Sequence, residues 1–364
     1  MNVSSHLDQV PPPLDRARPV VFLFPGVGDH YAGMGQGLYD TEPVFRSAVD
    51  LCATVLEPEL GKDIRTVLYP SGGPAPRSGG LDLATLMHGP RGQQEIDRTR
   101  IAQPLVFTVE YALAQLLLSW GITPSGMLGY SLGEYVAACL SGVFSLEDAL
   151  RLVARRAELI ETMPSGGMLV VMLGPDEVVT HLDDEVSLAA VTSDLLCVVA
   201  GPVPALERLE TTLTASGVGT LRSNTRHAFH SWMMAPVGEQ LETLLRDAEL
   251  GEPRIPFLSN VTGTWITPDQ ARRPDYWARH LHETVRFHDG LGEMWRLPEA
   301  VALEVGAGSM LGSLAAQHPA RPLGGRPPVF ATLPSAGRAA DDVAALRATA
   351  EQFGVAIPVH HGRA

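Results

Sequence analysis

The chain has 364 residues, 45% of them hydrophobic and 19% charged, enough for one large core or for a main domain carrying a smaller one. A formal net charge of −14 argues against non-specific nucleic-acid binding, which needs clustered Lys and Arg. Cys52, Cys139 and Cys197 are too few and too far apart for a disulfide framework or a zinc cluster, and fit a reducing compartment.

In chain order, "MNVSSHLDQVPPPLDRARP" has no signal-peptide core, and residues 1–18 are expected to be poorly ordered. "PVVFLFPG" (19–26) reads as a buried strand ending in a Pro-Gly turn. The Gly- and Pro-rich stretch from Pro70 to Asp97 reads as an inserted surface loop. "GMLGY" (126–130) is a second strand, running through Ser131 into a helix with small residues on one face. Beyond Pro164 the pattern changes: "GGMLVVMLG" strand, "PDEVVTHLDD" helix, "VSLAAVTS" and "LLCVVAGP" strands, "VPALERLETTLTASG" helix, "VGTLRSN" strand. That β-α-β-β-α-β order is ferredoxin-like. "RIPFLSNVTG" and "AVALEVGAG" return to the main sheet, and the stretch after His318 reads as a tail wrapping the main body. No apolar run approaches the roughly 20 residues that span a bilayer, so a soluble, cytoplasmic protein without membrane contact is expected.

"GYSLGE" supports two readings of Ser131. It caps a helix, with Glu134 reaching back as in a capping box, or it is a nucleophile on a strand–turn–helix elbow. The flanking Gly129 and Gly133 favour the elbow, where larger neighbours would clash and the helix N-terminus stabilises developing negative charge. A serine at its ordinary pKa needs a base. The histidine pair of "HAFH", His227 and His230, stands where the chain re-enters the main domain. A metal site at that pair lacks a convincing third ligand, and none is expected.

Seven blocks, "FLFPGVGDHYAGMG", "AQPLVFTVEYALAQLLLSWGI", "GYSLGEYVAACLSGVFSLEDALRLVARR", "RHAFHSWMM", "PFLSNVTG", "DYWARHLHETVRF" and "LEVGAG", follow one another in an order that resembles acyltransferases of the malonyl-CoA:acyl carrier protein transacylase family. The likeness points particularly to the acyltransferase domains of modular polyketide synthases and covers about Val20 to Val359. It implies an α/β-hydrolase-like large subdomain (19–163 and 227–318), an inserted ferredoxin-like subdomain (164–226) and a tail (319–364). It makes Ser131 the nucleophile and His230 its base, with a backbone carbonyl supplied or supported by His280, and Asn260 nearby. Val27 and Leu132 would give the oxyanion its backbone N–H groups. Arg156, or Arg155 one residue earlier, would take a substrate carboxylate with two parallel N–H donors. His227, Phe229, Tyr130 and Trp232 would surround the acyl group.

Three positions depart from the family pattern. Val27 stands for the usual glutamine, Tyr130 for histidine before the nucleophile, and Trp232 for the proline two residues after the base. The reaction implied is ping-pong: acyl-CoA acylates Ser131, and the phosphopantetheine thiol of an acyl carrier protein takes the acyl group, malonyl or related, with no permanently bound cofactor. A monomer acting in trans is expected; an excised synthase domain would read alike. Transfer of a longer or non-carboxylated acyl group, onto a carrier or a small-molecule alcohol, is a second reading. Hydrolysis of stalled carrier thioesters is a third, and a docking scaffold would have lost Ser131 or His230.

Overall fold

The computed structural model describes residues 18–71, 95–246, 248–323, 328–335 and 341–355. Of the segment 1–18 expected to be poorly ordered, all but Arg18 lies outside that range, as do most of the 70–97 insertion (72–94) and the last residues of the tail (356–364). Lys62 Nζ reaches both Glu95 oxygens (2.7 and 2.6 Å), joining the two sides of the 72–94 segment.

The main sheet is parallel throughout, with β1 (Val20–Phe24), β2 (Gly126–Gly129), β7 (Phe257–Leu258), β8 (Val301–Ala307) and β9 (Val329–Leu333) in the order β7-β2-β1-β8-β9. β1 and β8 are buried at every position, as continuous apolar runs covered on both faces require. Strand alternation divides the core. Phe22 and Phe24 face a large cluster built with α1 (Pro43–Leu60) and α2 (Thr99–Ser119), whereas Val21 and Leu23 face Leu128, Phe287 and Leu311. By length and composition α2 is long and apolar enough to cross a bilayer, which corrects the expectation that no such run exists. In the fold, 83% of its most apolar stretch is buried inside the protein.

After α3 (Gly133–Ser141) and α4 (Leu146–Glu161) the chain builds a separate antiparallel sheet from β3 (Gly167–Val171), β4 (Ser187–Ser193), β5 (Leu196–Gly201) and β6 (Thr220–Arg222), ordered β4-β5-β3-β6. The sheet and α5 (Val203–Ala215) enclose their own core of Leu169, Val199, Leu206 and Leu213. This is the ferredoxin-like arrangement, so the molecule is a large α/β unit with a small α+β insertion. The expected helix over 175–184 is one turn, Pro175–Val178, followed by a 3₁₀ turn to His181. The β-branched run Val178-Val179-Thr180 lowers its propensity, and Asp183 Oδ1 accepts the Glu185 N–H in a local turn.

The return segment adds α6 (Ala235–Leu245), α7 (Pro274–His280), α8 (Phe287–Met294) and α9 (Met310–Gln317). The tail does more than wrap: β9 pairs in parallel with β8, and α10 (Asp342–Gln352) is tied to it by Thr349 Oγ1 donating to the Ala331 carbonyl (2.8 Å).

Candidate active site

The elbow between β2 and α3 works only with glycine on each side. A Cβ on Gly129 would lie 2.1 Å from Gly133 and Glu134 backbone atoms, and one on Gly133 would lie 2.1 Å from the Phe24 carbonyl oxygen. Between them Ser131 has a φ of 51°, in the left-handed region that non-glycine residues rarely occupy. Asn260 holds the turn from both sides. Its Oδ1 accepts the Ser131 N–H, and its Nδ2 donates to the Gly129 carbonyl, each at 2.7 Å. The Asn260 N–H in turn donates to Glu134 Oε2 (2.7 Å). The capping-box reading therefore fails. Ser131 makes no side-chain cap of α3, while buried Glu134 binds Asn260 and the Tyr276 hydroxyl, itself 2.7 Å from Ser259 Oγ.

Ser131 Oγ lies 2.6 Å from His230 Nε2, across the junction where the chain leaves the small subdomain. His230 Nδ1 lies 3.2 Å from the Glu283 carbonyl oxygen. A proton on Nδ1 donates to that carbonyl and leaves the Nε2 lone pair for the serine hydroxyl. Burial, followed by the nearby charges of His280 and Arg156, holds the imidazole pKa well below its ordinary 6.5, opposed by the Glu283 and His280 carbonyls. The ring is neutral at pH 7, the state a base requires.

Several expected placements shift. The carbonyl 3.2 Å from Nδ1 belongs to Glu283, three residues beyond His280, whose own carbonyl also acts on the ring as expected. The His280 side chain instead lies against Glu134 (Nε2–Oε2 3.3 Å, without hydrogen-bond alignment), its ring 6.0 Å from that of His230. Asn260 orients the elbow rather than the imidazole. Trp232, expected beside the acyl group, is half-exposed at 52% and donates Nε1–H to the Glu185 carbonyl of the small subdomain (3.0 Å). His230 itself has left-handed backbone (φ 56°).

Tyr130 spans both subdomains, its hydroxyl 3.3 Å from Thr192 Oγ1 and its ring 5.2 Å from that of Phe287. His227 and Phe229 pack edge to face at 6.0 Å, and burial lowers the His227 pKa. The N–H groups of Val27 and Leu132 donate no hydrogen bond among the described residues. Arg155 is half-exposed and pairs with Glu158, which leaves Arg156 as the interior arginine. Arg156 is 1% exposed, donates Nη1–H to Gln103 Oε1 and lies 5.3 Å from the Tyr135 ring centroid. Its Nε has no partner, and no carboxylate pairs with it among the described residues. Burial lowers its pKa, yet a guanidinium stays charged. Among the described residues no three His, Cys, Asp or Glu side chains cluster in a metal-holding group.

A serine elbow at the carboxyl end of a parallel sheet, with an imidazole on its hydroxyl and a buried unpaired cation nearby, is the architecture of an acyl-transferring enzyme. The chain belongs to the acyl transferase domain family, whose model matches residues 21–356, and it is an acyltransferase. It is 41% identical over 300 residues to a phenolphthiocerol/phthiocerol polyketide synthase chain of Mycobacterium tuberculosis, covering 82% of this chain and 19% of that protein. The chain thus spans about a fifth of the length of this curated relative. The acyl transferase domain of SpnD, in complex with 2-(pent-4-yn-1-yl)malonyl, shares 38% identity at a TM-score of 0.82, covering 95% of this chain and 79% of that one. A malonyl CoA-acyl carrier protein transacylase from Burkholderia pseudomallei gives 25% identity and a TM-score of 0.68, covering 82% and 97%.

Glu283, Gln103 and Tyr135 were not singled out in the sequence. A carbonyl partner has no residue-type signature. Gln103 is one of three polar side chains buried in α2, with Thr108 and Glu110.

Proposed function

We propose that this acyltransferase moves a carboxylated acyl group from an acyl-CoA, through an ester on Ser131, to the phosphopantetheine thiol of an acyl carrier protein. The observation that supports it most is the 2.6 Å contact between Ser131 Oγ and a buried, neutral His230. His230 Nε2 takes the hydroxyl proton as Oγ bonds to the thioester carbonyl carbon, and the Val27 and Leu132 N–H groups receive the oxyanion. The C–S bond then breaks, and the CoA sulfur takes the proton back from His230. The carrier thiol repeats these steps in reverse, with the serine oxygen as leaving group. No cofactor enters this balance.

Arg156 supports a carboxylate on the acyl group. A buried cation without an acidic partner is costly unless an anion joins it, and two parallel N–H groups match a carboxylate. The SpnD ligand, a substituted malonyl, belongs to the same chemical class.

Intact-mass spectrometry after mixing with malonyl-CoA or octanoyl-CoA tests this. Wild type should gain a malonyl adduct, Ser131→Ala none. Arg156→Ala should lose malonyl acylation on the order of 10²-fold while octanoyl acylation changes little, because only the carboxylate loses a partner. Preference for octanoyl-CoA, with both acylations affected alike by Arg156→Ala, would sink the carboxylate reading. A normal adduct on Ser131→Ala would sink the nucleophile.

A further inference from the structure

The two halves of the imidazole's support, its own backbone and the carbonyl facing Nδ1, come from chain segments 53 residues apart. Both are held by one strand of the small subdomain. Two residues after His230, the Trp232 N–H donates to Ser187 Oγ (3.3 Å) and its Nε1–H to the Glu185 carbonyl (3.0 Å), at the start of β4. One residue after Glu283, Thr284 Oγ1 donates to the Leu188 carbonyl (2.6 Å). Val285 then continues the small sheet: its N–H donates to the Ala189 carbonyl and its carbonyl accepts the Val191 N–H, each at 2.9 Å, in a parallel bridge to Ala190. The next residue returns to the elbow, where the Arg286 N–H donates to the Asn260 carbonyl (2.8 Å).

We propose that β4 positions the general base, with Thr284 and Trp232 as positioning residues that fix His230 Nδ1 against the Glu283 carbonyl. This rests on the Ser131–His230 reading. Ser187 and Leu188 are consecutive on β4, so the separation of the imidazole and carbonyl segments is set by one rigid strand rather than by two loops. Trp232, where the family pattern has proline, adds two donors that proline lacks, since proline has neither a backbone N–H nor an indole. Neither residue touches the serine, so each acts through His230.

Thr284→Val removes the hydroxyl donor at nearly constant volume, Thr284→Ser keeps it, and Trp232→Phe removes only the indole donor of that side chain. Acylation and transfer are measured separately on the full chain, using whichever of malonyl-, methylmalonyl- and octanoyl-CoA wild type takes fastest. Loss of one such hydrogen bond should lower kcat for both steps by roughly two- to tenfold, at unchanged KM. Thr284→Ser should restore the rate. In a His230→Ala background, Thr284→Val should have no further effect, because residues acting through one group are not additive. Wild-type rates in both Thr284→Val and Trp232→Phe would overturn the proposal, as would equal slowing in the His230→Ala background or a rise in KM alone. If Thr284→Val fails to fold, Trp232→Phe decides by the same measures. A fully active His230→Ala protein would instead remove the dyad itself, a result separate from any failure of the strand to position it.

Discussion

Ser131 and His230 both occupy positive φ, at 51° and 56°, although neither is glycine. Such backbone costs on the order of 1–3 kcal/mol per residue and persists only where the surroundings enforce it, here through Asn260 on one side and Glu283 on the other. The burial that enforces His230 also sets its titration. A histidine with a depressed pKa stays neutral as pH falls past 6.5 and gains its proton only lower, so the base remains competent there. The acid limb of the acylation rate is expected below pH 6.5, read from single-turnover acylation between pH 5.5 and 8; a midpoint at or above 6.5 would show an imidazole open to water. The Ser131–His230 contact and the interior place of Arg156 were legible because the family blocks fix each by residue type. The Trp232 bond to Glu185 was not, since an indole N–H can donate to any carbonyl brought near it by the fold. Glu283 contributes a carbonyl that any residue would supply.

At the scale of the element, the elbow between β2 and α3 concentrates its constraint in Gly129 and Gly133, while Gly28, in the turn after β1, has open space around it. Gly129→Ala should destabilise the protein by roughly 3 kcal/mol or more, since the obstructing atoms are backbone and cannot rotate aside. Gly28→Ala should stay within about 0.5 kcal/mol. Urea midpoints of the two variants check this, and a wild-type midpoint for Gly129→Ala would mean that the turn relaxes freely. The strands of both sheets other than β9 were legible from short apolar runs bounded by Gly and Pro. The helix over 175–184 is shorter than its pattern suggests because of its β-branched run, and β9 carries little strand signal because Val329–Leu333 follows a stretch rich in Pro and Gly.

At the scale of the whole molecule, two buried carboxyl groups have no basic partner in contact among the described residues. Glu304 on β8 accepts N–H groups from Leu311 and Gly312 (3.2 and 2.7 Å), and Glu110 on α2 accepts the Gly26 N–H (2.7 Å). Burial raises both, Glu304 to about 7. Between its ordinary value of 4.5 and about 7, folded Glu304 keeps a proton that the unfolded chain has lost. Folding takes up that proton, so its contribution to stability is complete below pH 4.5 and is lost as pH rises through about 7. From pH 6 to pH 8, away from the isoelectric point of 5.3, wild type should lose roughly 1 kcal/mol more than Glu304→Gln. Urea unfolding at the two pH values measures the difference, and parallel losses would mean that Glu304 is ionised throughout. Neither carboxyl was legible, because a glutamate within an apolar run reveals nothing about its partners. β9 has a consequence of another kind. With it in place, the seven buried residues of β8 are an inner strand. A fragment cut after His318 would turn Val301–Ala307 into a bare, uncharged rim apart from Glu304, a template on which further copies of the fragment stack into insoluble aggregates.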